Sequence, residues 1–235
     1  MNMDNEISLE DLSFLQLSDS FFPTGLYTTS NGLEALFYEG KLKKPKHLQD
    51  LIKTFLFQQI GPTDCTALGN VYDCIYSSDL AEILRTDQMI YSMKLIEEVR
   101  EASVRSGIQL LRCVNSFVLG NTILDHYQGL VKNGKASGVY PVSFAVACNS
   151  LSITKYKAGL MLLYGFTITV VAAAIRLGIL QHLEGQKVIH NLKPSILSSV
   201  QSNIQKPLSS MWQFAPIIDI TQIKHEQMDS KMFIT

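Results

Sequence analysis

Between Lys157 and Arg176 the chain carries AGLMLLYGFTITVVAAAI, Ala158 to Ile175, without a charged side chain. Its length approaches the ~18–20 apolar residues that span a bilayer, and Lys155, Lys157 and Arg176 bracket it as flanking charges would. Two placements are open: a membrane anchor, or the central helix of an all-helical domain, apolar on every side because it is packed on every side. Gly159, Gly165, Thr167 and Thr169 dilute the run and no comparable second segment exists, so the central helix is expected.

Such a helix needs others around it, and helical periodicity recurs along the chain while strand alternation does not. Pro45, at a first helical position, leads into Leu48, Leu51, Ile52, Phe55, Leu56 and Ile60 on one stripe, with Gly61-Pro62 as the stop. Asp79 and Glu82 have the spacing of a capping box, with aspartate in place of Ser or Thr, ahead of helices expected to run to about Gly107. Small residues from Phe144 to Cys148 would let helices approach closely. A further helix, SILSSVQSNIQ, is expected to start at Pro194 with a Ser-, Asn- and Gln-rich polar face. Trp212, the only tryptophan, is expected as a core or subunit-contact anchor.

Composition narrows the function classes. With 235 residues and 46% hydrophobic content the chain can bury a full core. A formal net charge of −1 gives no electrostatic footprint for nucleic acid. The opening MNMDNEISLEDL is acidic and unlike a secretory signal, so a cytoplasmic protein is expected. Cys65, Cys74, Cys113 and Cys148 never form Cys-x-x-Cys and read as reduced small hydrophobes.

Local chemistry is sparse. Gly129-x-x-x-x-Gly134-Lys135 has the glycine spacing of a phosphate loop, but Ala136 stands where the motif needs a hydroxyl, and NTILDHYQ before it is no buried strand. A flexible connection between helices is the expected reading. His182, Glu184 and His190 lack the i,i+4 spacing of paired histidine ligands, and His47, His126 and His225 are isolated in sequence. No metal site, no cofactor and no catalytic residue is assigned, and nothing singles out an enzyme.

The richest stretch is Leu15 to Glu34, LQLSDSFFPTGLYTTSNGLE. Pro23 and Gly25 break the chain, so a helix is expected to stop near Asp19–Phe21 and another to start where Ser30 accepts from an orphan N–H, running to Gly40. Asp19, Phe22, Pro23, Gly25, Tyr27, Ser30, Gly32, Leu33 and Glu34 resemble the N-terminal signature of the urease accessory protein F family. Further blocks agree in order: Glu98 to Leu111, Gly138 to Ser143, Ala174-Ile-Arg176-Leu-Gly178, Phe214 to Asp219, His225-Glu226 and Lys231-Met-Phe233-Ile-Thr235. Relatives usually carry arginine where Lys231 stands, and lysine lacks its bidentate fork.

The resemblance implies a single all-α globular domain over residues 1–235, with residues 1–7 disordered and residues 225–235 a tail that orders when a partner binds. It implies a non-enzymatic chaperone for urease maturation, homodimeric in its complex, that binds accessory protein D (also called H). That complex would recruit the GTPase accessory protein G and deliver nickel to the urease apoprotein. GTP and nickel cation binding would then lie chiefly with the GTPase. Pro23, Thr24, Gly25, Tyr27, Ser30, Glu34, Lys231 and Phe233 are the expected partner-binding residues, with Tyr27 and Phe233 as aromatic anchors. Arg100 and Arg176 are open between a GTPase contact and a structural role. Other readings are direct regulation of the GTPase by an arginine supplied in trans, an unrelated helical enzyme, and a membrane-anchored protein.

Overall fold

The computed structural model describes residues 8–235, so the expectation for residues 1–7 lies outside the described residues. It is all-α: α1 (Leu9–Ser18), α2 (Leu33–Tyr38), α3 (Pro45–Gln58), α4 (Thr66–Tyr76), α5 (Leu80–Met93), α6 (Glu97–Asn115), α7 (Thr122–Lys132), α8 (Tyr140–Ser150), α9 (Lys155–Arg176), α10 (His182–Asn203) and α11 (Pro216–Glu226), with short turns between them. No strand occurs among the described residues.

The apolar run is α9, and it is the hub. Its mean hydropathy of 2.1 is that of a membrane span. Here it packs against α1, α2, α3, α4, α8 and α10, and Leu163, Val170, Val171, Ala173 and Ala174 are buried among them. Contact on several sides accounts for its composition without a bilayer. α8 lies between α4 and α6, and its run Pro141 to Cys148 is wholly buried. Close approach depends on glycine: a Cβ at Gly107 would overlap the Gly138 carbonyl, and one at Gly69 the Ile204 carbonyl.

Local signals placed several boundaries. Pro45 opens α3, and Leu48, Ile52, Phe55 and Leu56 are its buried stripe. The Asp79 carboxylate accepts from the Glu82 N–H at 3.0 Å, capping α5. Others differ. Gly61-Pro62 does not stop the chain: Gly61–Cys65 forms a buried π-helical turn that runs straight into α4. α10 crosses there, with Ser199 Oγ donating to the Leu56 carbonyl at 2.7 Å, and a Cβ at Gly61 would overlap both groups.

Pro194 likewise starts no helix but sits inside α10. Proline cannot donate to the carbonyl four residues back, yet His190 and Pro194 are both exposed, so water can serve that carbonyl. The polar face of SILSSVQSNIQ is partly internal, because Ser199 and Asn203 are buried against α3 and α4. Nor does α6 end at Gly107; it continues to Asn115. Trp212 is 41% exposed and no core anchor.

The Gly129–Lys135 segment is neither a phosphate loop nor a loose connection. The buried Asp87 carboxylate accepts from the N–H groups of Ser137, Gly138 and Val139 at 2.6, 3.1 and 3.0 Å and from Tyr127 Oη at 2.8 Å. Within the segment itself, Gly129–Lys132 is the last turn of α7, and the N–H groups of Asn133, Gly134 and Lys135 donate to the carbonyls of Gly129, Val131 and Leu130, so none is left to cradle a phosphate.

Candidate functional site

The Leu15–Glu34 stretch forms one corner of the molecule with the C-terminal segment. α1 ends at Ser18, and Gly25, at φ +80°, opens a 3-10 turn over Leu26–Thr28. α2 starts at Leu33, after Gly32 at φ +84°. A Cβ at Gly32 would lie 3.1–3.3 Å from Gln222 and Thr221 of α11, so both conformation and space call for glycine. Ser30 is therefore not the cap of α2. Its N–H donates to the Thr235 carbonyl at 2.9 Å, and its hydroxyl donates to the same oxygen.

Four residues further on, Glu34 is fully buried. One carboxylate oxygen accepts from the Met232 N–H at 2.8 Å; the other accepts from the Phe233 N–H at 3.1 Å and lies 3.1 Å from His225 Nε2. His225 Nδ1 is 2.8 Å from Glu98 Oε2. Each ring nitrogen thus faces a glutamate oxygen at hydrogen-bonding distance. Lys231 Nζ pairs with the other Glu98 oxygen and donates to the Glu226 carbonyl at 3.0 Å. The Ile234 N–H donates to the Thr28 carbonyl at 2.9 Å. Residues 231–235 thus lie along residues 28–34, and Phe233 is buried in the chain's own core.

Arg176, at the end of α9, has its guanidinium 4.4 Å from the Phe233 ring centroid and 5.0 Å from that of Tyr27. It donates to the carbonyls of Ala172 (3.4 Å) and Tyr27 and has no carboxylate partner among the described residues. Burial pulls its pKa down, with Tyr27 opposing. Arg100 is elsewhere: it donates to the Lys94 carbonyl at 3.0 Å and stands 5.4 Å from the Tyr91 ring centroid.

Of the expected contact residues, Tyr27 is 69% exposed, Pro23 and Gly25 are exposed and Thr24 is half-buried. Ser30, Glu34 and Phe233 face inward and are spent on holding the tail. Phe233 therefore offers no free ring in this conformation. Sequence reasoning placed His225, isolated along the chain, in the family-like His225-Glu226 block but gave it no role; it is fully buried between two glutamates. Glu98 was visible only through the resemblance. Strongly shifted titrating groups belong to the core: burial pushes the Cys65 thiol up to about 12 and raises the Tyr72, Tyr127 and Cys148 pKa values. No cluster of three His, Cys, Asp or Glu able to hold a metal occurs among the described residues.

Fold and site together define an all-helical protein whose distinctive corner is closed by its own C-terminal tail lying along residues 28–34. Comparison with known proteins gives the kind. The family model described as UreF matches residues 42–193. The urease accessory protein UreF of Trichodesmium erythraeum is 32% identical over 228 residues, covering 95% of this chain and 96% of that protein. The UreF proteins of Paenarthrobacter aurescens and Actinobacillus pleuropneumoniae serotype 3 are 27% and 25% identical, each over 95% of this chain and 97% and 98% of their own lengths. The chain belongs to the UreF family of urease accessory proteins.

Proposed function

We propose that this protein is a non-enzymatic, cytoplasmic assembly factor for urease. It binds accessory protein D (H), recruits the GTPase accessory protein G as a homodimer within the complex, and so supports nickel insertion into the urease apoprotein. Nickel is cargo here, and GTP is handled by the GTPase. The observation that carries this reading is similarity to urease accessory proteins over about 95% of the chain. The corner geometry supplies a physical route: Tyr27 is exposed, and the tail that flanks it is seated by a few hydrogen bonds on Glu34, Ser30 and Thr28. A partner that contacts both would favour one arrangement of the tail over others. Direct action of an arginine on nucleotide is less supported: Arg100 is held by the Lys94 carbonyl, and Arg176, although exposed, has its guanidinium over the Phe233 and Tyr27 rings.

The test is size-exclusion chromatography with light scattering on mixtures with the candidate D partner. Wild type is expected to co-elute, whereas Tyr27→Ala and a truncation after Gln227 are expected to elute separately with helical circular dichroism retained. A folded wild type that fails to bind at low and moderate salt would overturn the partnership.

A further inference from the structure

A cavity of about 110 Å³ lies where α3, α6, α9, α11 and the 3-10 turn at Leu26 meet. Its body is apolar, with Ile60, Ile96, Val99, Met161 and Phe166 in the wall. Polar side chains converge on it from two elements: Gln59 just after α3, and Asp219 and Gln222 on α11. Gln59 is 9% and Gln222 3% exposed as whole residues; their polar atoms are not sealed from water, and their carboxamides have no protein hydrogen-bond partner among the described residues. The Asp219 carboxylate has none either, and burial raises its pKa. Polar atoms with no protein partner that still reach water are free to pair with water or with a ligand. Here the open direction for those groups is the cavity.

Gly165 points the same way. It lies in the interior of α9 and on the cavity wall, where glycine is unfavourable relative to alanine. At Gly61, Gly69, Gly107 and Gly159 a crossing element explains the missing side chain; at Gly165 an added Cβ would meet nothing within 4 Å. Packing does not require this glycine, and its effect is to keep the cavity wide.

The charges select the ligand. Lys94, also on the wall, is committed to Asp64 at 2.9 Å, so that pair offers no free cation. The uncompensated group is the Asp219 carboxyl. An anion would meet it unfavourably, whereas a donor would be accepted by it, and the two carboxamides, which can both accept and donate, would add a bond to the donor head. An apolar cavity of about 150 Å³ takes up benzene, so 110 Å³ limits the body to one small ring or a short branched chain. We propose that this cavity is a binding site for a small amphiphile with an apolar body and a hydrogen-bond-donating head, an amine, amide or hydroxyl, held by Gln59, Asp219 and Gln222.

The test is NMR of the full chain carrying ¹³C-methyl methionine, with Met161 on the wall as reporter and Met161→Leu for its assignment. Benzylamine, benzyl alcohol and benzoate are the probes. Saturable movement of the Met161 resonance is expected with benzylamine and benzyl alcohol, and none with benzoate. Gly165→Leu, which places a side chain in the cavity, is expected to weaken both donors at least tenfold; should it lose helical circular dichroism, Thr169→Leu on the same wall serves instead. Asp219→Asn is expected to weaken benzylamine at least fivefold and leave benzyl alcohol within twofold. No saturable shift with either donor, equal binding of benzoate, or binding that survives the blocking variant would each overturn the proposal and leave a water-filled void.

Discussion

Glu34 is the residue on which the corner turns, because it is a fully buried carboxylate that serves two tail amides and one imidazole together. Removing it leaves the buried Phe233 N–H and the buried His225 ring without this partner and frees the Met232 N–H. Glu34→Ala is expected to destabilise the protein by about 3–5 kcal/mol, the range for breaking a buried charged network. Hydrogen exchange would separate this from a general loss: the Met232 and Phe233 amides should exchange faster by a larger factor than core amides of α8. Lys231 is a weaker participant, since its ion pair with Glu98 is partly solvated. Lys231→Arg is expected to shift denaturant stability by less than about 1 kcal/mol. Glycines at the same corner differ in kind. Gly32→Ala meets both a left-handed backbone and α11, and is expected to cost about 1–3 kcal/mol; Gly25→Ala meets only the backbone penalty and should cost less in parallel urea titrations.

At the scale of elements, Pro194 offers a test. In α10 it removes one helix hydrogen bond on an exposed face, so Pro194→Ala should restore a donor to the His190 carbonyl. The gain is expected to be about 2 kcal/mol, the helix-interior penalty of proline less its stiffening of the unfolded chain, and visible as a raised Tm. The same element shows what was legible in the sequence. Helices whose ends are set locally could be read: Pro45 opening α3, Asp79 capping α5, the apolar run forming α9. Pro194 and Gly61-Pro62 misled because another element decides the outcome. α10 crosses the turn at Gly61, and Pro194 falls on an exposed face where solvent can reach the carbonyl it leaves free. The family-like block pointed to His225, but its burial and partners were illegible for the same reason, since those partners lie 127 and 191 residues away along the chain. The motif from Pro23 to Glu34 identified the corner, but which of its residues face outward depends on the tail lying over them. Exposed Tyr27 and buried Phe233 looked alike as aromatic anchors.

For the whole molecule, the question is whether the tail belongs to the fold or only rests on it. Residues 228–235 contribute no helix, yet Phe233 joins the main core and Lys231, Met232 and Phe233 complete the Glu34–His225–Glu98 network. Truncation after Gln227 should therefore leave far-ultraviolet circular dichroism nearly unchanged while lowering stability. Loss of one buried phenylalanine accounts for about 1.5–3 kcal/mol, before any contribution from the network. Two substitutions separate packing from recognition. Phe233→Leu keeps apolar burial beneath Arg176 but removes the ring that the guanidinium stacks on. Phe233→Ala removes both. If the tail acts by being seated, Phe233→Leu should retain most of the stability and most of the D-partner co-elution, and Phe233→Ala should lose both together. If a partner instead takes the Phe233 ring into its own surface, Phe233→Leu should abolish co-elution at nearly unchanged stability. The buried position of the ring favours the first outcome, since a partner would have to break the tail's seat before reaching it.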